Sequence, residues 1–331
     1  MTAGRYLLIF VVTLCGLVLL TGVNAWLQTG MPTRNGYYIC SYIHEKIVRG
    51  SAMPTPKLVI VAGSNALAGI DAQILGERLS VHVFNFGLSA SLGPGLQTFE
   101  SEKILRPGDA ALLPLEYTAY DYETPENSLV DAVYTCGTDY LRSLSWREKL
   151  FFVLAVRPQR ILDSLLFRSQ RGAMRMTAAL AARDVGPYGQ RPGGNFPLHQ
   201  VAIDTGLAAE PLLIHLRGGG AGAKAIASFV AWAHARRIAV LATWPNTIDL
   251  PQAASDRGFA RIREFYARLG VAMVGAPRDA MLPARLMGDR FYHPNRAGMA
   301  VRTERLVQLL RGDAAFCHWR QAGLSTVSSV R

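Results

Sequence analysis

The stretch VIVAGSNALAGID, residues 59–71, decides the fold class of this 331-residue chain. It opens with β-branched residues, which favour a buried strand, and changes at Gly63-Ser64-Asn65 to residues that favour a helix. A strand that turns directly into a helix is typical of parallel α/β sheets, in which sites form where the strands end. Ser64 lies at this turn, so its hydroxyl has two interpretations, a helix N-cap and a nucleophile, and we expect it to serve as both.

The same alternation of strand and helix patterns runs through much of the chain. Apolar runs predict five strands, at residues 57–61, 81–86, 109–117, 238–243 and 271–274. Helical patterns separate or follow them, at residues 66–79, 95–105, 221–236, 254–269 and 296–310. We therefore predict an α/β fold, a three-layer sandwich with a mainly parallel, flavodoxin-like sheet. Pro114 predicts that the third strand ends irregularly or lies at an edge.

The N-terminal segment has two interpretations, and both place the bulk of the chain outside the cytoplasm. Residues 6–23 contain no charged residue and form a run long enough for one membrane span. Residues 1–28 are therefore a signal anchor, crossing the inner membrane through residues 6–27, or a signal peptide that is cleaved after Ala25. We expect residues 29–56 to be a linker. Residues 57–331 would form the α/β domain, with an insertion at about 118–215 that covers or lines a site.

Charge and cysteine content exclude several classes of function. The net charge of +11 comes from scattered arginines, which predicts a solvated basic surface or, alternatively, a face for membranes or polyanions. Nucleic acid is not an expected partner, because the chain is exported and has no Lys/Arg block. Cys40, Cys136 and Cys317 form no metal-binding pattern, so we expect neither a metal nor another cofactor. Any two of them could form a disulfide in an oxidising compartment.

A second chemical signal lies just before the last predicted helix. Asp289 precedes His293 by four residues, which is close enough for its carboxylate to accept a hydrogen bond from one imidazole nitrogen. The other nitrogen would then be able to take a proton from a serine. The alternative is a surface histidine beside an ordinary helix start, because Pro294 and Asn295 are good helix-start residues.

Ser64 after the first strand, together with Asp289 and His293 before the last helix, resembles the SGNH (GDSL-like) hydrolase superfamily. The resemblance covers about residues 57–311, interrupted by the insertion. It implies that Ser64 is the nucleophile, His293 the general base and Asp289 its orienting partner. Gly87 matches the family glycine whose N–H lies in the oxyanion hole.

Two positions differ from the family pattern. Gly63 stands in place of the usual aspartate of the first block, and the third block, Gly-x-Asn-Asp, is absent after the third strand. Asn246 and Asn65 are therefore the candidates for the third oxyanion donor. At the place of the missing block stand Glu116 and its neighbour Tyr117, which we expect either to line the pocket or to have a structural role at the end of the strand.

The resemblance implies serine-dependent acyl-ester chemistry on an exported substrate. Similar exported proteins serve bacterial exopolysaccharides such as alginate or cellulose, so we expect O-acetyl transfer to, or removal from, such a polysaccharide. The expected location is periplasmic, with an inner-membrane anchor, and the expected partners are the polysaccharide or another acyl ester and a membrane-bound acyl donor or synthase. Two alternatives remain open: a non-catalytic scaffold of a synthase complex, and an exported lipase-like esterase.

Overall fold

The computed structural model describes residues 3–170, 172–190, 220–249, 256–288 and 292–328. Internal contacts divide the chain into two compact units. The first unit comprises Met1–Tyr42 and Thr124–Ala181, and the second comprises Ile43–Glu123 and Ala182–Arg331.

Fifteen α-helices lie within the described residues. In chain order they are α1 (Ala3–Gln28), α2 (Arg34–Ala52), α3 (Ser64–Gly69), α4 (Ala72–Leu79), α5 (Gly93–Ser101), α6 (Tyr117–Tyr120), α7 (Asn127–Thr135), α8 (Thr138–Ser143), α9 (Trp146–Ala155), α10 (Gln159–Ser169), α11 (Ala173–Arg183), α12 (Ala221–Ala235), α13 (Asp256–Arg268), α14 (Arg296–Gly312) and α15 (Ala314–Ser328).

The strands confirm an α/β fold with a mainly parallel sheet. The described residues form seven strands: β1 (Lys57–Ile60), β2 (His82–Asn85), β3 (Ala110–Leu113), β4 (Ala239–Thr243), β5 (Thr247–Ile248), β6 (Ala272–Val274) and β7 (Met281–Leu282). Five of them pair in parallel in the order β2-β1-β3-β4-β6, and β5 pairs in parallel with β7. All residues of β1 and β3 are buried, which explains why both read as continuous apolar runs.

Two local predictions differ from the structure: the edge position of the third strand and the single helix over residues 66–79. Pro114 follows β3 directly and ends it, but β3 is the central strand, so the prediction of an edge strand is wrong. The helix predicted over residues 66–79 is two helices, α3 and α4. Asn85 Nδ2 donates to the carbonyls of Ala66 and Ile70, which satisfies the end of α3, and the Asp71 side chain then caps α4 by accepting from Ile74 N–H.

The first unit contains helices only, within the residues described. α1 is long and apolar enough to cross a membrane, with a mean hydropathy of 2.5 over its most apolar window. The segment expected as a linker, residues 29–56, contains α2, and much of the predicted insertion forms α7 to α11. Cys40 and Cys136 form a disulfide, which settles the pairing that the sequence left open, and Cys317 and Cys15 are free thiols.

Candidate active site

The second unit brings Ser64 and His293 into direct contact. Ser64 is the first residue of α3, at the end of the chain segment that follows β1, and His293 lies in the loop before α14. Ser64 Oγ is 2.7 Å from His293 Nε2, and both side chains are half-buried. A hydroxyl and an imidazole at this distance can exchange a proton.

The interpretation of Ser64 as a helix cap is wrong. The N-cap position of α3 belongs to Gly63, which has no side chain with which to cap the helix. The Ser64 hydroxyl instead bonds to His293 across the turn. The serine that suggested a helix cap therefore contacts a residue 229 positions away along the chain.

Backbone hydrogen bonds hold the His293 loop on both sides. The Gly288 N–H donates to the His293 carbonyl (2.7 Å), and the Asn295 N–H donates to the Leu286 carbonyl (2.9 Å). The Asn295 side chain caps α14 by accepting from the Gly298 N–H (3.0 Å), which confirms the predicted helix start. The imidazole is thus carried by a loop that is anchored to the beginning of a helix.

Asp289, the predicted partner of the second imidazole nitrogen, lies outside the described residues. Its role in orienting His293 therefore stays a prediction. Among the residues that the structure does describe, no group of three or more His, Cys, Asp or Glu side chains could hold a metal ion.

Glu116 lies beneath the Ser64 turn rather than along a pocket wall. Its side chain is buried, with the residue 2% exposed. Oε2 accepts from the Gly63 N–H (3.1 Å) and Oε1 accepts from the Asn65 N–H (3.0 Å), so the carboxylate binds the peptide groups on both sides of Ser64. A Cβ at residue 63 would overlap this carboxylate, which explains why this position is a glycine.

Asn246 joins the two halves of the candidate site. It is fully buried after β4, and its Nδ2 donates to the Asn65 carbonyl (3.1 Å) and to the Tyr292 carbonyl (2.6 Å). The opposite amide orientation would set Oδ1 against two carbonyl oxygens, so the two acceptors fix the assignment. Asn246 therefore connects the residue after Ser64 to the residue before His293.

Neither asparagine has the role of oxyanion donor that the resemblance implied. Both N–H bonds of the Asn246 amide go to backbone carbonyls. Asn65 is also fully buried, and its Nδ2 donates to the Pro114 carbonyl (2.9 Å). Both side chains hold backbone rather than face the Ser64 hydroxyl.

Gly87 also differs from its expected role. Its N–H already donates to Asn85 Oδ1 (2.9 Å), so in this structure it is not directed at an oxyanion. A Cβ at this position would collide with the Leu67 N–H, which shows that the glycine allows the chain after β2 to pass against α3. The Ser64 N–H, which could also stabilise an oxyanion, donates no hydrogen bond within the described part of the chain.

Sequence reasoning missed Lys46, which supports the Gly87 segment from the other side. Its Nζ, fully buried at the end of a side chain on α2, donates to the carbonyls of Asn85 (2.9 Å) and Gly87 (2.6 Å). Burial lowers the pKa of this amine well below its ordinary value. No signal in the sequence separates this lysine from a solvated one, because it lies in a helix of mixed composition.

An aromatic cluster lies beside the His293 loop. The rings of Tyr117 and Tyr292 are 6.3 Å apart, and Phe259 packs between Tyr117 (5.8 Å) and Trp244 (5.3 Å). Burial raises the pKa of both tyrosine hydroxyls far above the physiological range, so both stay neutral. Arg302 is also buried here, and although burial lowers its pKa to about 10, it remains charged and donates to the Trp244 carbonyl (2.9 Å).

No model of a known protein family matches this chain, and no curated protein matches it. The geometry of the site and the resemblance of its motifs are therefore what point to a function.

Proposed function

We propose that this protein performs serine-dependent acyl-ester chemistry on an exported substrate. The observation that carries the proposal is the 2.7 Å contact between Ser64 Oγ and His293 Nε2 at the end of the parallel sheet. A serine is a weak nucleophile unless a base accepts its proton, and this contact supplies the base.

The proposed reaction has two stages. Ser64 Oγ attacks the ester carbonyl while its proton passes to His293 Nε2, and the resulting tetrahedral intermediate collapses when Nε2 returns that proton to the departing alcohol. The acyl group is then bound to Ser64, and a water or a sugar hydroxyl removes it by the reverse sequence. In this proposal Asp289 orients the imidazole through its second nitrogen.

The Ser64 N–H is the first candidate to stabilise the oxyanion. This group is adjacent to the oxygen that forms the new bond, and within the described residues it donates to no other acceptor. The Gly87 N–H joins it only if its bond to Asn85 Oδ1 opens when substrate binds. The oxyanion would therefore be stabilised by one or two backbone N–H donors, and the expected rate enhancement is that of such a site.

We also propose a specific fold, location and substrate. The fold is a three-layer SGNH-type sandwich, and the location is periplasmic, with α1 as inner-membrane anchor. The reaction is O-acetyl transfer to, or removal from, an exopolysaccharide such as cellulose or alginate. The apolar length of α1 and the Cys40–Cys136 disulfide support export, since disulfides persist in oxidising compartments. The polysaccharide and a membrane-bound acyl donor or synthase partner rest on the family resemblance.

A second candidate function is a non-catalytic, membrane-anchored scaffold of a polysaccharide synthase complex. One observation favours it: the Gly87 N–H and the amides of Asn65 and Asn246 are all bonded within the protein. A scaffold needs no oxyanion donors, whereas an efficient esterase does.

The deciding experiment compares the full chain, purified in detergent, with its Ser64→Ala variant on a small acetyl ester and on an acetylated oligosaccharide. We expect kcat/KM to fall about a thousandfold in Ser64→Ala and to stay unchanged in Ser169→Ala, an exposed serine of α10. A fluorophosphonate probe should label Ser64 in the wild type only. An unchanged rate in Ser64→Ala would exclude the catalytic proposal, and absence of both labelling and turnover in the wild type would favour the scaffold. Acetyl groups on an added acceptor would identify a transferase.

A further inference from the structure

Helix α9 in the first unit is apolar on two opposite faces. It buries Phe152 and the residue that follows its end, Val156. At about 100° per residue, Trp146, Leu150 and Leu154 fall on the opposite side of the helix. These three are exposed, Trp146 by 70% and Leu154 by 64%.

The next helices repeat this arrangement. α10 buries Ser164 and Phe167, and Leu162, Leu165 and Leu166 lie exposed on its far side. α11 adds exposed methionines and a leucine: Met174, Met176 and Leu180. We call the exposed residues of α9, α10 and α11 the apolar face. A helix with apolar side chains on every side is normally packed against apolar neighbours on every side. A large exposed apolar patch marks an interaction site.

Hydrogen bonds attach this face to the end of the candidate membrane helix. Asn24 and Gln28, in the last two turns of α1, donate to the carbonyls of Val156 (3.1 Å) and Arg157 (2.9 Å), where α9 passes into α10. Arg160 of α10 donates to the Met31 carbonyl (2.8 Å) just after α1. The junction of α9 and α10 therefore lies at the end of α1, where α1 would leave a bilayer.

The charge of this segment suits a surface of anionic lipid. Residues 146–183, from the start of α9 to the end of α11, contain eight Lys or Arg against two Asp or Glu, a net charge of +6. Two of these cations are paired with acids outside the segment, Arg160 with Asp131 and Arg183 with Asp184. Several of the cations are exposed beside the apolar residues: Arg147, Arg157, Arg168 and Arg175. Leucine, tryptophan and phenylalanine on one side and arginine around them are typical of helices that lie in the membrane interface.

We propose that the apolar face lies in the interface of an anionic phospholipid bilayer, beside the exit of α1. The first unit then has two membrane contacts, one that spans the bilayer and one that rests on it, instead of a single tether. This inference goes beyond the proposed function and does not depend on catalysis. A membrane protein that covers the same face is the competing occupant.

The test measures lipid contact at Trp146 in the full chain, reconstituted into vesicles of phosphatidylcholine and phosphatidylglycerol with brominated acyl chains. Bromine quenches only the tryptophans that reach the lipid. Of the five tryptophans, Trp26 lies exposed at the end of α1 and serves as the internal positive signal. Trp146→Phe is compared with Trp232→Phe, which removes a half-buried tryptophan of the second unit.

We expect the quenched fluorescence to fall by about half in Trp146→Phe, because Trp26 and Trp146 are the two lipid contacts, and to stay unchanged in Trp232→Phe. Equal quenching in the wild type and in Trp146→Phe would overturn the proposal. The proposal would also be overturned if lipid did not quench Trp146 and Trp146 crosslinked to a protein in native membranes. The occupant of the apolar face would then be a protein. Misfolding does not confound the comparison, because Trp146 is largely exposed.

Discussion

Glu116 holds Ser64 from both sides: its two carboxylate oxygens accept the N–H groups of the residues before and after the serine. A single buried carboxylate therefore fixes the backbone on which the candidate nucleophile is carried. Glu116 bonds to the peptide groups around Ser64 rather than to the Ser64–His293 pair, so we regard it as a positioning residue. Its bonds also leave the Ser64 N–H as the one peptide N–H of the three that the carboxylate does not occupy.

Replacing this carboxylate should disturb both stability and rate. In Glu116→Gln one acceptor oxygen becomes an NH₂ group that faces an N–H, so we expect the free energy of unfolding to fall by about 2–4 kcal/mol. We also expect kcat/KM on an acetyl ester to fall at least about tenfold, since the turn that carries Ser64 shifts. Urea unfolding and steady-state kinetics measure the two effects. Glu123→Gln, at an exposed position, should change neither, and a Glu116→Gln protein with wild-type values would refute the role.

Gly63 and Glu116 should be energetically coupled. Gly63→Ala places a methyl group on the Glu116 carboxylate, so we expect a loss of about 1–3 kcal/mol in unfolding free energy. The same substitution should cost much less in a Glu116→Ala background, where the space is empty. Gly312→Ala, where no atom lies within 4 Å of the new Cβ, is the control. Strictly additive losses in the double mutant would contradict the contact.

Asn246 should affect turnover more than binding. Asn246→Ala removes the bonds that connect the Ser64 turn to the His293 loop, so we expect kcat to fall about tenfold or more with little change in KM. Asn246→Asp should be at least as harmful, because a carboxylate would face two carbonyl oxygens. Asn127→Ala, at an exposed position of α7, is the matched control. A change confined to KM would instead place Asn246 in contact with substrate.

The disulfide makes a prediction that also bears on location. Denatured protein from an oxidising compartment should react with a thiol reagent at two of its four cysteines, and at all four after reduction. Because the bridge closes a loop with a sequence separation of 96, we expect Cys40→Ser with Cys136→Ser to lower the unfolding free energy by about 2–5 kcal/mol. Cys317→Ser should leave it unchanged. Four reactive thiols before reduction would contradict both the pairing and the export of the chain.

Glu102 should make stability fall as the pH rises. Partial burial raises the pKa of its carboxyl to about 7, and Arg236 opposes that shift only in part. A carboxyl whose pKa is higher in the folded state contributes stability below its ordinary pKa of 4.5 and loses it as the pH rises through about 7. Glu102 is half-exposed, so we expect a loss of only about 1 kcal/mol between about pH 5 and about pH 8. Thermal melts should show a smaller loss in Glu102→Gln than in the wild type or in Glu264→Gln; equal losses in all three would contradict the shift.

The fold class and the Ser64–His293 pair were predictable from sequence because each depends on local patterns. A β-branched run before Gly63 and a Pro-Asn helix start after His293 are signals within a few residues, and parallel topology brings strand ends to one edge. The break between α3 and α4 was also readable in principle, because Asp71 is a good N-cap that lies two residues after Gly69.

The partners of those residues were not predictable in the same way. Glu116 stands at the place of a missing motif. The sequence does not show that its carboxylate reaches the turn that follows a neighbouring strand. Asn246 was proposed from its residue type and strand-end position, but which atoms its amide faces depends on packing between distant segments. α2 has mixed composition, so its helix was read as a linker, and the buried Lys46 within it was missed.

The sequence separation of 229 between Ser64 and His293 has a consequence for the time at which activity appears. A polypeptide that has left the ribosome only as far as residue 292 contains the serine, Glu116 and Asn246 but has no base to receive the proton. The histidine is then held in place by a loop anchored to α14, so the pair assembles after most of the chain has emerged. On the proposed function, a chain still being synthesised is therefore inert toward every ester that it meets before its C-terminal part has folded.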